Sequence, residues 1–409
     1  MGNLLVAQSG GPTVAINSTL LGVYKASKNK VDKVYGARYG IKGLLEKNIY
    51  DLSKLLNGNN ENLLKQTPAS ALASCRQKLS DSSKSTEQYE KIIKIFKDFD
   101  INYFVYIGGN DSMDTVNKIS QYIKYSNISD IIVVGAPKTI DNDLVLTDHC
   151  PGFGSAAKYI ATTISELERD CSIYPIPSIT LVEIMGRDAG WLTAASALSR
   201  LNGAKGPSLI YCCEKTFCID KFLKDIESKM KGYSNGIVIV LSEGIHDKDG
   251  KYISEYVNEP FMDEFGHKQN AGAARVLEKV VRSTFGCKVR ALEINLMQRS
   301  AAHITSLTDI EESIKVGQKA VQCALSGMCG EMSTIIRKSN RPYEVEYSSA
   351  NTSLIANKVR YLPDDMISKD GNDVTNKAID YLKPLIQGEL KIKYNNGIPL
   401  HLDLFKNIE

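Results

Sequence analysis

Two short polar segments of this chain carry side chains that are suited to phosphoryl transfer. The first, residues 108–112 (GGNDS), follows the apolar run 103–107, and the second, residues 137–143 (PKTIDND), follows the apolar run 131–134. Open α/β sheets bind their ligands at the carboxyl ends of strands. The sequence therefore predicts that the two segments form halves of one phosphoryl-transfer site.

The second segment is the more specific, because Asp141 and Asp143 are separated by a single residue in a predicted turn and are preceded by Lys138. When a sugar hydroxyl attacks a phosphoryl group, a carboxylate must accept its proton and a cation must neutralise the transferring oxygens. We predict Asp141 as the base and Lys138 as the electrostatic stabiliser. The alternative is an Asx-turn in a surface loop.

The first segment combines two glycines with Asn110, Asp111 and Ser112. Oxygen side chains beside a helix start are able to hold a phosphate and a magnesium ion together. Asp111 and Ser112 are expected to cap the following helix in either interpretation, and the alternative is that capping is their only role. We favour the functional interpretation.

A third element is the turn at residues 8–13 (QSGGPT), where paired glycines let the backbone approach an anion. Alone it is weak, since such turns often connect a strand to a helix without any ligand. The turn lacks a Walker lysine motif and the spaced glycines of a dinucleotide fingerprint, so a nicotinamide enzyme is disfavoured.

A parallel sheet would bring these segments together, and the sequence shows the alternation of apolar strands and amphipathic helices that such a sheet requires. We predict an α/β fold with helices covering a parallel sheet. An exposed loop is expected at residues 57–62 and a second α/β unit near residue 150. Predicted strands lie at residues 4–8, 103–107, 131–134, 178–184, 208–212 and 236–241.

Composition is typical of a globular protein that buries a large core. The 409 residues are 43% hydrophobic and 24% charged, and the net charge of +3 is not gathered into basic blocks. We therefore expect no nucleic-acid partner and no membrane association. Nine cysteines without a CxxC pair indicate a reducing compartment, with Cys212 and Cys213 as buried thiols. With no signal peptide or membrane span expected, the predicted location is the cytoplasm.

Further motifs accompany these segments: SCRQK at 74–78, TDHCPGFGSAA at 147–157, MGR at 185–187, SEG at 242–244 and QR at 298–299. With them the chain resembles the phosphofructokinase family, and in particular its pyrophosphate-dependent branch. The resemblance implies two stacked Rossmann-like three-layer α/β/α domains. Residues 1–150 would carry the donor site, residues 151–336 the sugar-phosphate site, and residues 337–409 would pack back on both.

The resemblance also implies roles for individual residues at the donor side. Asn110 would stand at the Mg²⁺ position, although an aspartate is common there. Asp141, Lys138, Asp111 and Arg187 would be the catalytic residues. The phosphoryl donor would be contacted by Gly11, Arg76, Gly109 and Ser112.

The acceptor implied by the resemblance is fructose 6-phosphate. Arg290 and Arg299 would bind its phosphate through their guanidinium forks, and in the family one such arginine reaches in from a neighbouring subunit. A homo-oligomer, dimer or tetramer, is therefore expected. The other sugar-binding residues would be Thr139, Asp141, Asp143, Met185, Gly186, Arg187 and Glu243.

The choice of donor depends on Asp111 and Lys138, since ATP-using members generally have glycine at both positions. A carboxylate at Asp111 would exclude the α-phosphate of a nucleotide by bulk and like charge. Pyrophosphate is therefore the predicted donor. An ATP-dependent 6-phosphofructokinase and a non-catalytic regulatory paralogue stay open as alternatives.

Overall fold

Two mainly parallel sheets covered by helices form most of the described structure, and the two short strands at residues 394–395 and 398–399 make a separate antiparallel pair. The computed structural model describes residues 2–56, 58–83, 85–231, 235–256 and 272–406. The strands are β1 (Asn3–Gln8), β2 (Val34–Ala37), β3 (Ile49–Asp51), β4 (Ile101–Gly108), β5 (Ile132–Pro137), β6 (Ser178–Ile184), β7 (Leu209–Tyr211), β8 (Ile237–Ser242), β9 (Lys288–Glu293), β10 (Glu331–Asn340), β11 (Tyr343–Asn351), β12 (Tyr394–Asn395) and β13 (Ile398–Pro399).

Helices connect most of these strands. They are α1 (Ile16–Ser27), α2 (Gly40–Leu45), α3 (Leu52–Leu55), α4 (Gly58–Gln66), α5 (Glu87–Asp98), α6 (Asn110–Tyr125), α7 (Phe153–Ser172), α8 (Trp191–Ala195), α9 (Ile219–Met230), α10 (Ala273–Phe285), α11 (Met297–Ser300), α12 (Leu307–Leu325) and α13 (Asn376–Leu382). No helix within the described ranges is long and apolar enough to cross a membrane.

The first sheet has the strand order β11-β10-β5-β4-β1-β2-β3. Its strands pair in parallel except for β3 and β11, the antiparallel strands at its two edges. All six residues of β1 are buried, as expected for a strand covered on both faces. Leu4 and Val6 face the core that contains α1 and α12 residues, whereas Leu5 and Ala7 face the core that contains α5 and α6 residues.

The second sheet has the order β7-β8-β6-β9, and all of its pairings are parallel. Val182 and Val238 pack in a core with residues of α7, α8 and α13. Ile179 and Ile237 face the opposite side, where they pack with residues of α9 and α10. The predicted α/β class with parallel sheets and helices on both faces is therefore confirmed.

The chain returns to the first sheet before its end. Helix α12 packs against α1, and β10 pairs with β5 through Met332 and Gly135. The return begins with α12 at residue 307, and the expected division of the chain at residues 150 and 336 stays a prediction. Helix α12 returns because its buried face, which includes Val316 and Ala320, completes a core that β1 and α1 leave open.

Two local predictions are wrong. The loop expected at residues 57–62 is mostly helix α4, whose Leu64 is buried and whose Glu61 pairs with Lys25 of α1 and with Lys28 just after it. Residue 57 lies outside the described residues. Capping of α6 by Asp111 or Ser112 is also not observed. Helix α6 begins at Asn110, and no side chain caps it.

Candidate active site

The predicted site residues meet in a cavity of about 480 Å³ at the carboxyl ends of the strands. The turn after β1, the start of α6, the turn after β5 and the turn after β6 surround it. Thirteen of the sequence-predicted residues line it: Gly11, Arg76, Gly109, Asn110, Asp111, Ser112, Lys138, Thr139, Asp141, Asp143, Met185, Arg187 and Arg299.

Lys138 joins the turn after β5 to the turn after β1. Its buried Nζ donates a hydrogen bond of 2.6 Å to the carbonyl of Gly11. Burial is the main cause that lowers the pKa of Lys138 to about 8; the charges of Asp141 and Asp143 oppose this shift, and those of Arg299 and Arg76 add to it. The lysine is therefore a cation close to its titration point beside the two carboxylates.

The pKa values of the two carboxylates, Asp141 and Asp143, are both raised. Burial raises the pKa of Asp141. Burial and the charge of Asp141 raise the pKa of Asp143 to about 7. Thr139 orients the turn, because its Oγ1 accepts from the amide of Asp141 at 3.1 Å and lies 3.4 Å from the Asp141 carboxylate. A carboxylate with a raised pKa is suited to accept a proton near neutral pH.

Arginines converge on the glycine turn. A Cβ on Gly11 would lie 2.9 Å from the guanidinium of Arg299, so a larger residue there would require the end of the arginine side chain to shift. Burial lowers the pKa of Arg299, and the neighbouring charge of Arg76 lowers it further. Clustered cations of this kind are stabilised by an anion between them. Arg299, expected to bind the sugar phosphate, thus lies beside two residues predicted to bind the donor.

The sugar-side turn at Met185, Gly186 and Arg187 is fixed to the end of β8. The Glu243 carboxylate accepts a 3.0 Å hydrogen bond from the amide of Gly186, and Ser242 donates to the Gly186 carbonyl at 2.5 Å. Burial raises the pKa of Glu243 to about 7. Met185 and Arg187 line the cavity, whereas Gly186 and Glu243 support it from behind.

The positions of two other predicted residues, Arg290 and Asp111, were not expected from the sequence. Arg290 lies exposed on β9, the edge strand of the second sheet, and does not line the cavity. Asp111 lies 3.0 Å from Lys78, with its side chain 61% exposed. Part of the Asp111 charge is therefore compensated by Lys78 within the chain.

Magnesium prefers oxygen ligands and usually retains waters while binding one or two carboxylates and substrate phosphates. The cavity offers the carboxylates of Asp111, Asp141 and Asp143, which fit such an ion. Among the described residues no group of three or more His, Cys, Asp or Glu side chains forms a complete metal site. Asn110, the predicted metal position, uses both atoms of its amide in hydrogen bonds to residues 357 and 358.

The sequence did not reveal several residues of the site. Asn142, at φ +57°, accepts from the amide of Cys150 at 2.9 Å, and this hydrogen bond holds the turn that carries Asp141. Arg360 donates to the Asn142 carbonyl at 3.2 Å. Asp188 directly follows the MGR motif, which was a usable signal. Asn357 and Val359 also line the cavity, but nothing in their local sequence indicates it.

Comparison with known proteins agrees with this geometry. Residues 3–293 match the family described as Phosphofructokinase. A curated protein of Xanthomonas campestris pv. campestris, named pyrophosphate--fructose 6-phosphate 1-phosphotransferase, is 39% identical over 410 residues, covering 100% of this chain and 97% of that protein. A protein of the same name from Halomonas elongata is 38% identical, covering 99% and 96%.

A solved structure gives the same result at the level of the fold. The pyrophosphate-dependent phosphofructokinase of Nitrosospira multiformis superposes with a TM-score of 0.88 at 35% identity, covering 98% of this chain and 96% of that one. The two polar turns at the strand ends and the full-length similarity indicate the same family. The chain belongs to the phosphofructokinase family.

Proposed function

We propose that this protein transfers a phosphoryl group from pyrophosphate to the 1-hydroxyl of fructose 6-phosphate, giving fructose 1,6-bisphosphate and phosphate. The observation that carries the proposal is the position of Lys138 and Asp141 in one cavity, between the glycine turn after β1 and the turn at Met185. Relatives that match over nearly their whole length have names that state this reaction.

Pyrophosphate would bind at the glycine turn, where Arg76 and Lys138 supply positive charge. Asp141 accepts the proton of the attacking hydroxyl, the new bond forms between that oxygen and the nearer phosphorus, and phosphate leaves. Lys138 neutralises charge on the transferring oxygens as the bridge breaks. Since a phosphate ester replaces a phosphoanhydride of comparable energy, we expect the reaction to be reversible.

The magnesium ion would be held by Asp111 together with the pyrophosphate oxygens. It would neutralise the charge on the donor and orient it for in-line transfer. The chain's own residues keep the remaining tasks: Arg76 and Lys138 bind the donor, Thr139 orients Asp141, and Asp141 takes the proton.

The choice of pyrophosphate over ATP would depend mainly on bulk at Asp111. Lys78 lies 3.0 Å from the Asp111 carboxylate and offsets part of its charge. Like-charge repulsion of a nucleotide is therefore weaker than the sequence alone indicates. The volume of the carboxylate beside the glycine turn remains, and it would obstruct any group attached to the second phosphate.

The sugar phosphate would be bound by Arg187 and Arg299, with Arg290 contributed by a neighbouring subunit. The exposure of Arg290 on an edge strand, away from the cavity of its own chain, supports this arrangement. We therefore propose that the protein is a homo-oligomer and that it is located in the cytoplasm.

The deciding experiment measures fructose 1,6-bisphosphate formation by purified protein with Mg²⁺ and fructose 6-phosphate, with pyrophosphate or ATP as sole donor. We expect turnover only with pyrophosphate. Asp141→Ala should bind fructose 6-phosphate with unchanged affinity but lose about 10²-fold or more in kcat, since it removes the proton acceptor.

The other outcomes discriminate between the alternatives. Turnover with ATP alone would retain the role of Asp141 but reverse the donor assignment. If wild-type protein binds fructose 6-phosphate but turns over neither donor, a regulatory paralogue replaces the proposed enzyme.

A further inference from the structure

A five-residue segment, residues 356–360, crosses the wall of the active-site cavity, and we name it the strap. Ile355, immediately before it, is buried in a small cluster with Met113 and Met332. Leu362, just after it, is buried in the core of the second sheet. The strap is thus held at both ends by hydrophobic packing, and its residues Asn357 and Val359 line the cavity.

Asn110 fastens the strap to the start of α6. Its Oδ1 accepts from the backbone amide of Asn357 at 2.6 Å, and its Nδ2 donates to the backbone carbonyl of Lys358 at 2.5 Å. Because a backbone N–H only donates and a carbonyl only accepts, these two contacts require an amide in this orientation. The Asn357 side chain adds a 3.1 Å hydrogen bond to Asp114.

The other end of the strap holds the catalytic turn. The backbone amide of Arg360 donates to the carbonyl of Asp143 at 2.7 Å, and its guanidinium donates to the carbonyl of Asn142 at 3.2 Å. The same guanidinium lies 4.1 Å from the ring centre of Trp191, which is fully buried. The strap therefore joins the start of α6 to the turn that carries Asp141.

We propose that Asn110 is a positioning residue: it fastens the strap, and through the strap it fixes the catalytic turn for the reaction proposed above. A carboxylate at this position would have no proton to donate to the Lys358 carbonyl, and two acceptors would face each other at hydrogen-bond distance. The need for one donor and one acceptor explains why this chain carries asparagine where aspartate is common in the family.

The test compares Asn110→Asp and Asn110→Ala by amide hydrogen exchange in peptides covering the strap, without substrates or Mg²⁺. We expect exchange there to quicken about fivefold or more in both variants, because each removes a hydrogen bond from the strap. Asn102→Asp is the matched control: Asn102 also donates to a backbone carbonyl, that of Asp130 at 2.8 Å, and lies outside the cavity. It should leave strap exchange unchanged.

Steady-state kinetics supply the second readout. We expect kcat to fall about tenfold or more in both Asn110 variants, since small displacements of catalytic groups are costly, while KM for fructose 6-phosphate changes less than twofold. If Asn110 were instead a metal ligand, the added charge of Asn110→Asp would lower the Mg²⁺ concentration for half-maximal rate and leave strap exchange unchanged. That result would overturn the proposal.

The exchange measurement does not depend on turnover. If wild-type protein proved inactive with both donors, the proposed function would fail, yet strap exchange would still decide whether Asn110 fastens the strap. Unchanged exchange in both Asn110 variants refutes the positioning role whatever the activity.

Discussion

At the scale of single residues, burial determines which charges the active site offers. Lys138 and Asp141 are close together in a cavity wall, and burial moves their pKa values in opposite directions, down for the lysine and up for the carboxylate. Each partner partly offsets the effect of burial on the other. The proposed base thus has a raised pKa and the proposed cation a pKa lowered to about 8, shifts that suit acid–base catalysis.

This arrangement predicts a bell-shaped pH dependence of kcat/KM. The carboxylates must be ionised, so activity should rise as pH increases through about 7, the pKa of Asp143. Lys138 must be charged, so activity should fall as pH rises through about 8. The two apparent pKa values of this profile belong to the interacting groups of the turn together and not to one residue alone.

Lys138→Met tests the assignment of the alkaline limb, measured as kcat/KM between pH 5.5 and 9.5 on the proposed assay. The variant should be much slower, and its alkaline limb should disappear because no lysine remains to lose its proton. An alkaline limb that persists unchanged in Lys138→Met would assign that titration to another group.

At the scale of elements, two helices that are far apart in the sequence make a very close contact. Helices α1 and α12 approach each other where both carry glycine. A Cβ on Gly22 would lie 2.1 Å from the carbonyl oxygen of Ile314, and a Cβ on Gly317 would lie 2.2 Å from that of Thr19. This contact fixes α1, which begins just after the glycine turn of the donor site.

Alanine at either glycine should therefore destabilise the protein, although alanine is the better helix former. We expect Gly22→Ala and Gly317→Ala each to lower the free energy of unfolding by about 1–3 kcal/mol, as overpacking does. Gly58→Ala is the control, because a Cβ there meets nothing within 4 Å, and it should be neutral or stabilise by up to about 1 kcal/mol. Urea unfolding measures all three; equal stability of Gly317→Ala and wild type would disprove the close contact.

At the scale of the whole molecule, a buried ionic network ties the catalytic segment to the returning C-terminal elements. His149 lies between Asp148, at 2.8 Å, and Glu312 of α12, at 2.5 Å. Arg337 of β10 donates to Asp148 at 3.0 Å, and Tyr343 of β11 donates to Glu312 at 2.7 Å. Breaking one partner of such a network leaves a buried charge without compensation.

The network predicts how stability changes with pH. Burial lowers the pKa of His149, but the carboxylates of Glu312 and Asp148 outweigh it and raise the pKa to about 9. Because this pKa lies above the unfolded value near 6.5, protonated His149 stabilises the folded protein. The full stabilisation, about 3 kcal/mol in the free energy of unfolding, is present below pH 6.5 and is lost as the pH rises through 9.

His149→Gln should remove this slope and lower stability most at pH 6. The measurement is the free energy of unfolding in urea at pH 6, 7.5 and 9 for wild type, His149→Gln and a surface control, His303→Gln, which should keep the wild-type slope. Parallel pH profiles for wild type and His149→Gln would mean that His149 is not charged in the folded protein.

The sequence by itself determined the α/β class and indicated most of the residues that line the cavity. Strands buried on both faces must be continuous apolar runs, so β1, β4 and β5 could be recognised, and ligand-binding turns must follow them. The residues of the GGNDS and PKTIDND segments could therefore be predicted from position and type alone.

Only the tertiary structure decided which distant residues complete the site. Asn357 and Val359 line the cavity, and Arg360 contacts the turn at Asn142, because β10 and β11 bring the chain back to the first sheet. Nothing in the local sequence of these three residues indicates that return. Tertiary packing also made α4 a helix, through Leu64 and the Glu61 ion pairs, where local composition predicted a loop. Local patterns record how a segment is buried, whereas the partners that bury it are set by long-range packing of the whole chain.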